Sequence, residues 1–133
     1  LAIVILDIDH FKVINDTYGH DIGDAVIKEF GARIQQSIRS HDTVARMGGD
    51  EFVILLPNIQ NIENAVEIAK RIRLKMQQPW KIKGQKLTVT TSMGIAMANF
   101  SQKITKSDLI KNADIALYEA KNSGRDNYKL YIK

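Results

Sequence analysis

Apolar and polar positions recur with different rhythms along the chain, and each rhythm names an element. Leu1 to Leu6 is continuously apolar and partly β-branched, the signature of a central strand covered on both faces. It runs into Asp7-Ile8-Asp9, where alternation places the two acids on one face and Ile8 on the other. His10 to Tyr18 mixes Phe11, Val13 and Ile14 with Lys12, Asn15 and Asp16, as a short helix closed by Gly19 would. From Asp21 to about Arg39, apolar residues recur every fourth position at Ile22, Val26, Phe30, Ile34 and Ile38, which predicts an amphipathic helix packed on a sheet. Thr43 to Met47 and Phe52 to Leu56 read as strands joined by a tight hairpin at Gly48-Gly49. Pro57 and Asn58 end the second of them, and Ile62, Ala65, Val66, Ala69, Ile72 and Met76 mark a long amphipathic helix stopped before Pro79.

Trp80 to Ile82 and Leu87 to Met97 read as a hairpin around Gly84. In its longer arm Leu87, Val89, Thr91, Met93, Ile95 and Met97 face one way, with Thr88, Thr90, Ser92, Gly94 and Ala96 opposite. Thr105-Lys106-Ser107-Asp108 has the spacing of a helix start, and Ile110, Ala113, Leu117 and Ala120 carry an apolar stripe to Gly124. Tyr128 to Ile132 predicts a last strand. The order implies an α/β (α+β) fold, a mixed sheet of about five strands or more flanked by helices. A chain of 133 residues, 44% hydrophobic, is expected to be one domain with a real core.

The absence of cysteine excludes disulfides and thiolate metal sites, and suits a reducing compartment. The apolar run at Leu1 to Leu6 is too short to cross a bilayer and lacks the basic start of a signal peptide. A net charge of +4 leans mildly towards anionic partners such as phosphates. A domain rarely starts on its innermost strand, so a preceding segment is expected.

Candidate chemistry centres on Asp50 and Glu51, which leave the diglycine turn. Alone, such a turn reads as solvated, but Asp7 and Asp9 form a second acidic site at a strand end, where open α/β sheets bind ligands. N-capping of the next turn is the simpler reading for Asp9. Were these acids to converge, two unit charges about 4 Å apart would repel by roughly 4 kcal/mol at an effective dielectric near 20. Either they stay apart or a cation joins them. Carboxylates without His or Cys select Mg²⁺ or Mn²⁺, and Mg²⁺ so held usually carries substrate phosphates. His10, His20 and His41 show no metal-ligand spacing. The amides of His10, Phe11 and Lys12 begin a helix beside the acids and suit an anion. Lys121 and Arg125 flank the end of the last helix, where simple charge complementarity to the helix terminus also accounts for them.

Gly48-Gly49-Asp50-Glu51-Phe52 is the signature of the GGDEF family of diguanylate cyclases. Asp7-Ile8-Asp9-His10-Phe11-Lys12, Asn15-Asp16, Gly19-His20 and Gly23-Asp24 resemble its upstream motif. Ser92 to Ala96 and Ala113-Asp114 through Arg125 also resemble the family, so the similarity spans nearly the whole chain. It implies a mainly antiparallel fold related to adenylyl cyclase and polymerase palm domains, acting in signal transduction. The implied activity is condensation of two GTP into cyclic di-GMP with Mg²⁺ or Mn²⁺, across a homodimer, in the cytoplasm, including as the cytoplasmic part of a membrane-anchored protein.

By position, the resemblance assigns metal binding to Asp7, the Ile8 carbonyl, Asp50 and Glu51, and catalysis to Asp50 and Glu51, without settling which is the base. Substrate contacts fall to His10, Phe11, Lys12, Gly48, Gly49, Lys121 and Arg125, with guanine read by Asn15 and Asp24. Arg39-Ser40-His41-Asp42 resembles the RxxD product-inhibition site, with Arg71 as a secondary contact; a helix-end ion pair worth roughly 0.2 to 0.5 kcal/mol is the simpler reading. The family's helical segment ahead of the first strand, of Asp-x-Leu-Thr-x-Leu-x-Asn-Arg type, has no counterpart in residues 1–133. The expected partners are GTP, cyclic di-GMP and attached sensory or phosphodiesterase domains, and not nucleic acid. Two other readings stay open: a catalytically silent module that binds GTP or cyclic di-GMP, and a GTP-fed cyclase or polymerase of other specificity.

Overall fold

Strand β1 (Ala2–Ile8) is the innermost of the sheet, with every residue buried. The computed structural model describes residues 1–98 and 103–132. After β1 come α1 (Phe11–Tyr18), α2 (His20–Ser37), β2 (Thr43–Gly48), β3 (Glu51–Leu56) and α3 (Ile62–Gln77). The chain continues through β4 (Trp80–Ile82), β5 (Gln85–Leu87), β6 (Thr91–Met97), α4 (Lys106–Asn122) and β7 (Asn127–Leu130). The main sheet has the order β2-β3-β1-β6-β7, antiparallel except for the β6–β7 pair. The expected mixed, mainly antiparallel five-stranded sheet is therefore present.

The alternation within β1 divides the core in two. Ala2, Val4, Leu6 and Ile8 join the larger cluster beneath α2 and α3, with Phe30, Ile34, Ile54, Ile72, Met93 and Ile95. Ile3 and Ile5 point the other way, into a smaller cluster with Ala96, Leu109, Ala113 and Leu117 beneath α4. At about 1.5 to 3 kcal/mol for each fully buried Ile or Leu side chain, these two layers supply most of the drive to fold. Gly94 lets α4 settle on the sheet, because a Cβ there would stand 2.1 Å from the Ala113 carbonyl oxygen.

One expectation is corrected. The stretch from Leu87 to Met97 is not one hairpin arm: β5 pairs with β4 in a separate two-stranded sheet, and β6 pairs with β1. The break at residues 88–90 lets the Thr90 carbonyl accept from the Asp9 amide at 2.9 Å, a contact a continuous hairpin would have used within its own ladder. The predicted facing survives, since Val89, Met93 and Ile95 lie in the larger cluster and Ala96 in the smaller. As expected, β1 runs on through Asp7 and Ile8, which pair with Ser92 and Thr91. Among the described residues no helix is long and apolar enough to cross a membrane.

Candidate functional site

Strand register brings the acids together. Glu51 lies directly opposite Asp7 on β3, and Ser92 lies opposite it on β6. Directly opposed residues share a face, with Cβ atoms about 4.5 to 5.5 Å apart, and the face here is the one α4 covers. Asp50 sits just before, in the turn between β2 and β3, where Gly49 has a φ of 52° and its carbonyl accepts from Arg46 Nε at 2.7 Å. Only glycine adopts that φ at no steric cost, so the diglycine turn aims Asp50. Asp7, Ile8 and Asp50 line one end of a cleft of about 350 Å³. The side chains of Asp7 and Asp50, distant in sequence, face the same space.

Lys121, from the last turn of α4, reaches down to Asp7, with Nζ 2.5 Å from Oδ2. The other carboxylate oxygen, Oδ1, is buried and has no hydrogen-bond partner among the described residues. Burial pushes the Asp7 carboxyl above the usual range, Lys121 opposes this without cancelling it, and the charges of Asp50 and Asp9 add to it. Glu51 is likewise raised, by burial first and then by Asp114 and Asp7. Asp114 is raised by burial, against the pull of Lys121.

These residues fit a divalent cation. The donors are hard carboxylate oxygens, and an orphaned buried one is already in place. Among the described residues no three acidic or imidazole side chains are gathered closely enough to hold an ion by themselves, so phosphate oxygens would have to complete the shell, as is usual for Mg²⁺.

Asp9 behaves differently from Asp7. Its Oδ1 accepts from Ser92 Oγ at 2.6 Å, and its Oδ2 from Thr90 Oγ1 at 2.6 Å and from the Asp126 amide at 2.9 Å. It does not cap α1, whose N-cap is His10 with a φ of 55° and no side-chain cap. The N-cap reading of Asp9 gives way to a buried acceptor of three hydrogen bonds, which lines the same cleft as Asp7 and Asp50.

His10, Phe11, Lys12 and Asn15 line the cleft from α1, and Lys121 and Arg125 from the end of α4. Asn15 lies against α2, where a Cβ on Gly23 would come within 1.7 Å of its Oδ1. Asp24, the next residue, is exposed and does not line this cleft. Neither do Gly48 and Gly49, which shape the hairpin beside it.

Arg39, Asp42 and Arg71 meet elsewhere, at the C-terminal end of α2. Arg39 grips Asp42 through Nε at 2.9 Å and Nη2 at 2.8 Å, and its own amide donates to the same carboxylate at 2.8 Å. Arg71 Nη1 donates to the Ser37 carbonyl at 3.0 Å. Burial alone would raise the Asp42 carboxyl, but the Arg39 hydrogen bonds win and hold it below the usual range.

Sequence reasoning named no role for Asp114. The signal was available, because Asp114 and Lys121 are two helical turns apart on α4 and so share a face. What the sequence lacked was the knowledge that this face covers Glu51 and Asp7.

The family model described as diguanylate cyclase, GGDEF domain, matches residues 1–127. Diguanylate cyclase A of Treponema denticola is 42% identical over 131 residues, covering 98% of this chain and 35% of that protein. The bifunctional diguanylate cyclase/cyclic di-GMP phosphodiesterase MucR of Pseudomonas aeruginosa is 38% identical over 127 residues, covering 96% of this chain and 18% of that protein. This chain thus spans about a third or less of these relatives. The crystal structure of the GGDEF domain of TpbB from Pseudomonas aeruginosa superposes with a TM-score of 0.93 at 36% identity, covering 99% of this chain and 82% of that one.

Proposed function

The chain belongs to the GGDEF family of diguanylate cyclases, and we propose that it joins two GTP molecules into cyclic di-GMP. The observation that carries this reading is the cleft shared by Asp7 and Asp50, which is also lined by Lys12, Lys121, Arg125 and the start of α1. The 3′-hydroxyl oxygen of one GTP attacks the α-phosphorus of the other, the bond to the β-phosphate oxygen breaks, and pyrophosphate leaves. Two such transfers close the ring.

Asp7, Asp50 and the Ile8 carbonyl, with Glu51 beside them, would hold Mg²⁺ or Mn²⁺. Such an ion supplies charge neutralisation at the phosphates and acidifies the hydroxyl. The Asp50–Glu51 pair takes the hydroxyl proton. Lys121 exchanges Asp7 for the triphosphate, and Arg125 and the first amides of α1 meet the same anion. Asn15 and Asp24 read the guanine. Each domain presents one GTP, so two domains face one another, and their encounter supplies much of the acceleration as effective molarity. Residues 1–133 then act within a longer cytoplasmic protein, with a helical segment ahead of β1 and regulatory domains attached.

Incubating the full-length protein with GTP and Mg²⁺ and separating the products tests this. Cyclic di-GMP that disappears in Asp50→Ala supports the cyclase; tight GTP binding without turnover shows a silent regulatory module instead. Gly23→Ala drives a methyl into Asn15, so the KM for GTP should rise about tenfold, the scale of one lost polar contact to the base. An unchanged KM removes Asn15 from the base pocket.

For the RxxD group, binding of cyclic di-GMP must compete with an existing ion pair, because Asp42 already accepts three hydrogen bonds from Arg39. The Arg39 side chain is 31% exposed, against 0% for that of Asp42, and is the part available to a ligand. Arg39→Ala is expected to weaken cyclic di-GMP binding by tenfold or more, on the order of a lost charge-assisted bond. Equal titration curves for both proteins exclude the site.

A further inference from the structure

We infer that Asp9 is a positioning residue for Arg125: it clamps the loop after α4 to the end of β1 and so aims the guanidinium at the triphosphate, and it is not a metal ligand. This rests on the cyclase reading above. Arg125 has a φ of 62° and Asp126 a φ of 48°. Two consecutive residues with side chains in the left-handed region are uncommon, and such a backbone persists only where its surroundings hold it.

The surroundings do so from several sides. The Arg125 amide donates to the Ala120 carbonyl at 3.1 Å. The Asp126 amide donates to Asp9 Oδ2 at 2.9 Å. From α3, Arg73 Nε donates to the Asp126 carbonyl at 2.8 Å and to its carboxylate at 3.2 Å. Asp9 is itself pinned by the hydroxyls of Thr90 and Ser92, each at 2.6 Å, and is 6% exposed. Its oxygens are committed to donors. Asp7 keeps a buried oxygen without a partner, so the two aspartates have divided roles that their spacing makes look alike.

The test uses the full-length protein and a GTP analogue with a methylene between the α- and β-phosphorus atoms, titrated by calorimetry. Asp9→Ala should weaken binding about tenfold, matching Arg125→Ala, the scale of one lost contact between a charged group and phosphate. In the double variant the loss should equal that of Arg125→Ala alone. Asp9→Asn should recover affinity to within about threefold, because an amide oxygen accepts from the Asp126 N–H while its NH₂ donates to the Ser92 hydroxyl.

Arg73→Ala, at a side chain 43% exposed, cuts the other tether should Asp9→Ala not fold, and should also weaken the analogue. Hydrogen exchange at the Asp126 amide, read without nucleotide, should accelerate in both alanine variants. Losses that add in the double variant overturn the clamp, as does an Asp9→Asn protein that binds as poorly as Asp9→Ala and needs more Mg²⁺. A wild type that does not bind the analogue sinks the cyclase reading itself, whereas a binding wild type matched by Asp9→Ala sinks only the clamp.

Discussion

Asp7→Asn is expected to cut cyclic di-GMP formation by roughly 100- to 1000-fold, the scale of losing one electrostatic contributor at a reacting centre, while raising the melting temperature of the metal-free protein. Asp7 is 7% exposed, faces Glu51 across the β1–β3 ladder, and leaves one oxygen unpartnered. Burial raises its pKa despite Lys121, so the ionised form is a burden on the fold. A carboxyl raised in the folded state contributes stability that is complete below its unfolded pKa and lost as pH climbs through the folded one. The variant's advantage therefore grows from about pH 4 towards neutrality and vanishes in acid.

Releasing Lys121 costs little, since its side chain is 34% exposed and returns to water. Adding Mg²⁺ with GTP should reverse the order, because a ligand that binds only the folded wild type stabilises it by an amount that grows with the logarithm of its concentration above Kd. Melting curves in chelator and in Mg²⁺ across pH check all of this. A variant that melts below wild type in chelator at neutral pH, or that retains turnover within about tenfold, defeats the account.

Gly94→Ala should be the most disruptive single methyl in the sheet. The added Cβ would lie 2.1 Å from the Ala113 carbonyl oxygen and 2.3 Å from the Leu117 nitrogen. Both are backbone atoms of α4, so no side-chain rotation relieves the clash. Overpacking of this kind costs about 3 kcal/mol, more where backbone must move, or a fall on the order of 10 °C in melting temperature for a domain of this size. Activity should fall with it, because α4 carries Asp114 and Lys121 over the acids. A melting temperature within about 2 °C of wild type means that α4 seats on the sheet in another way.

The residues themselves carried the elements. Apolar runs and fourfold spacing located β1, α2, α3 and α4, because burial of one face leaves a period in the order of residues. The break at residues 88–90 left no such trace, since alternation continues unchanged from Val89 into β6 while the pairing partner changes. Local pattern reports which face a residue points to, and is silent on which strand lies beside it.

The acids divide along the same line. Residue type and order alone marked Asp7, Asp9, Asp50 and Glu51 as charged groups needing a counter-charge. Register then decided that Glu51 and Asp7 are direct neighbours, and packing of α4 set Lys121 on Asp7 and Asp114 near Glu51. Asp9 stays beside them in the cleft, but Thr90, Ser92 and the Asp126 amide occupy its oxygens. A carboxylate's chemistry is fixed by its neighbours in space, and those come from chain segments too far apart in sequence for any local pattern to bring together.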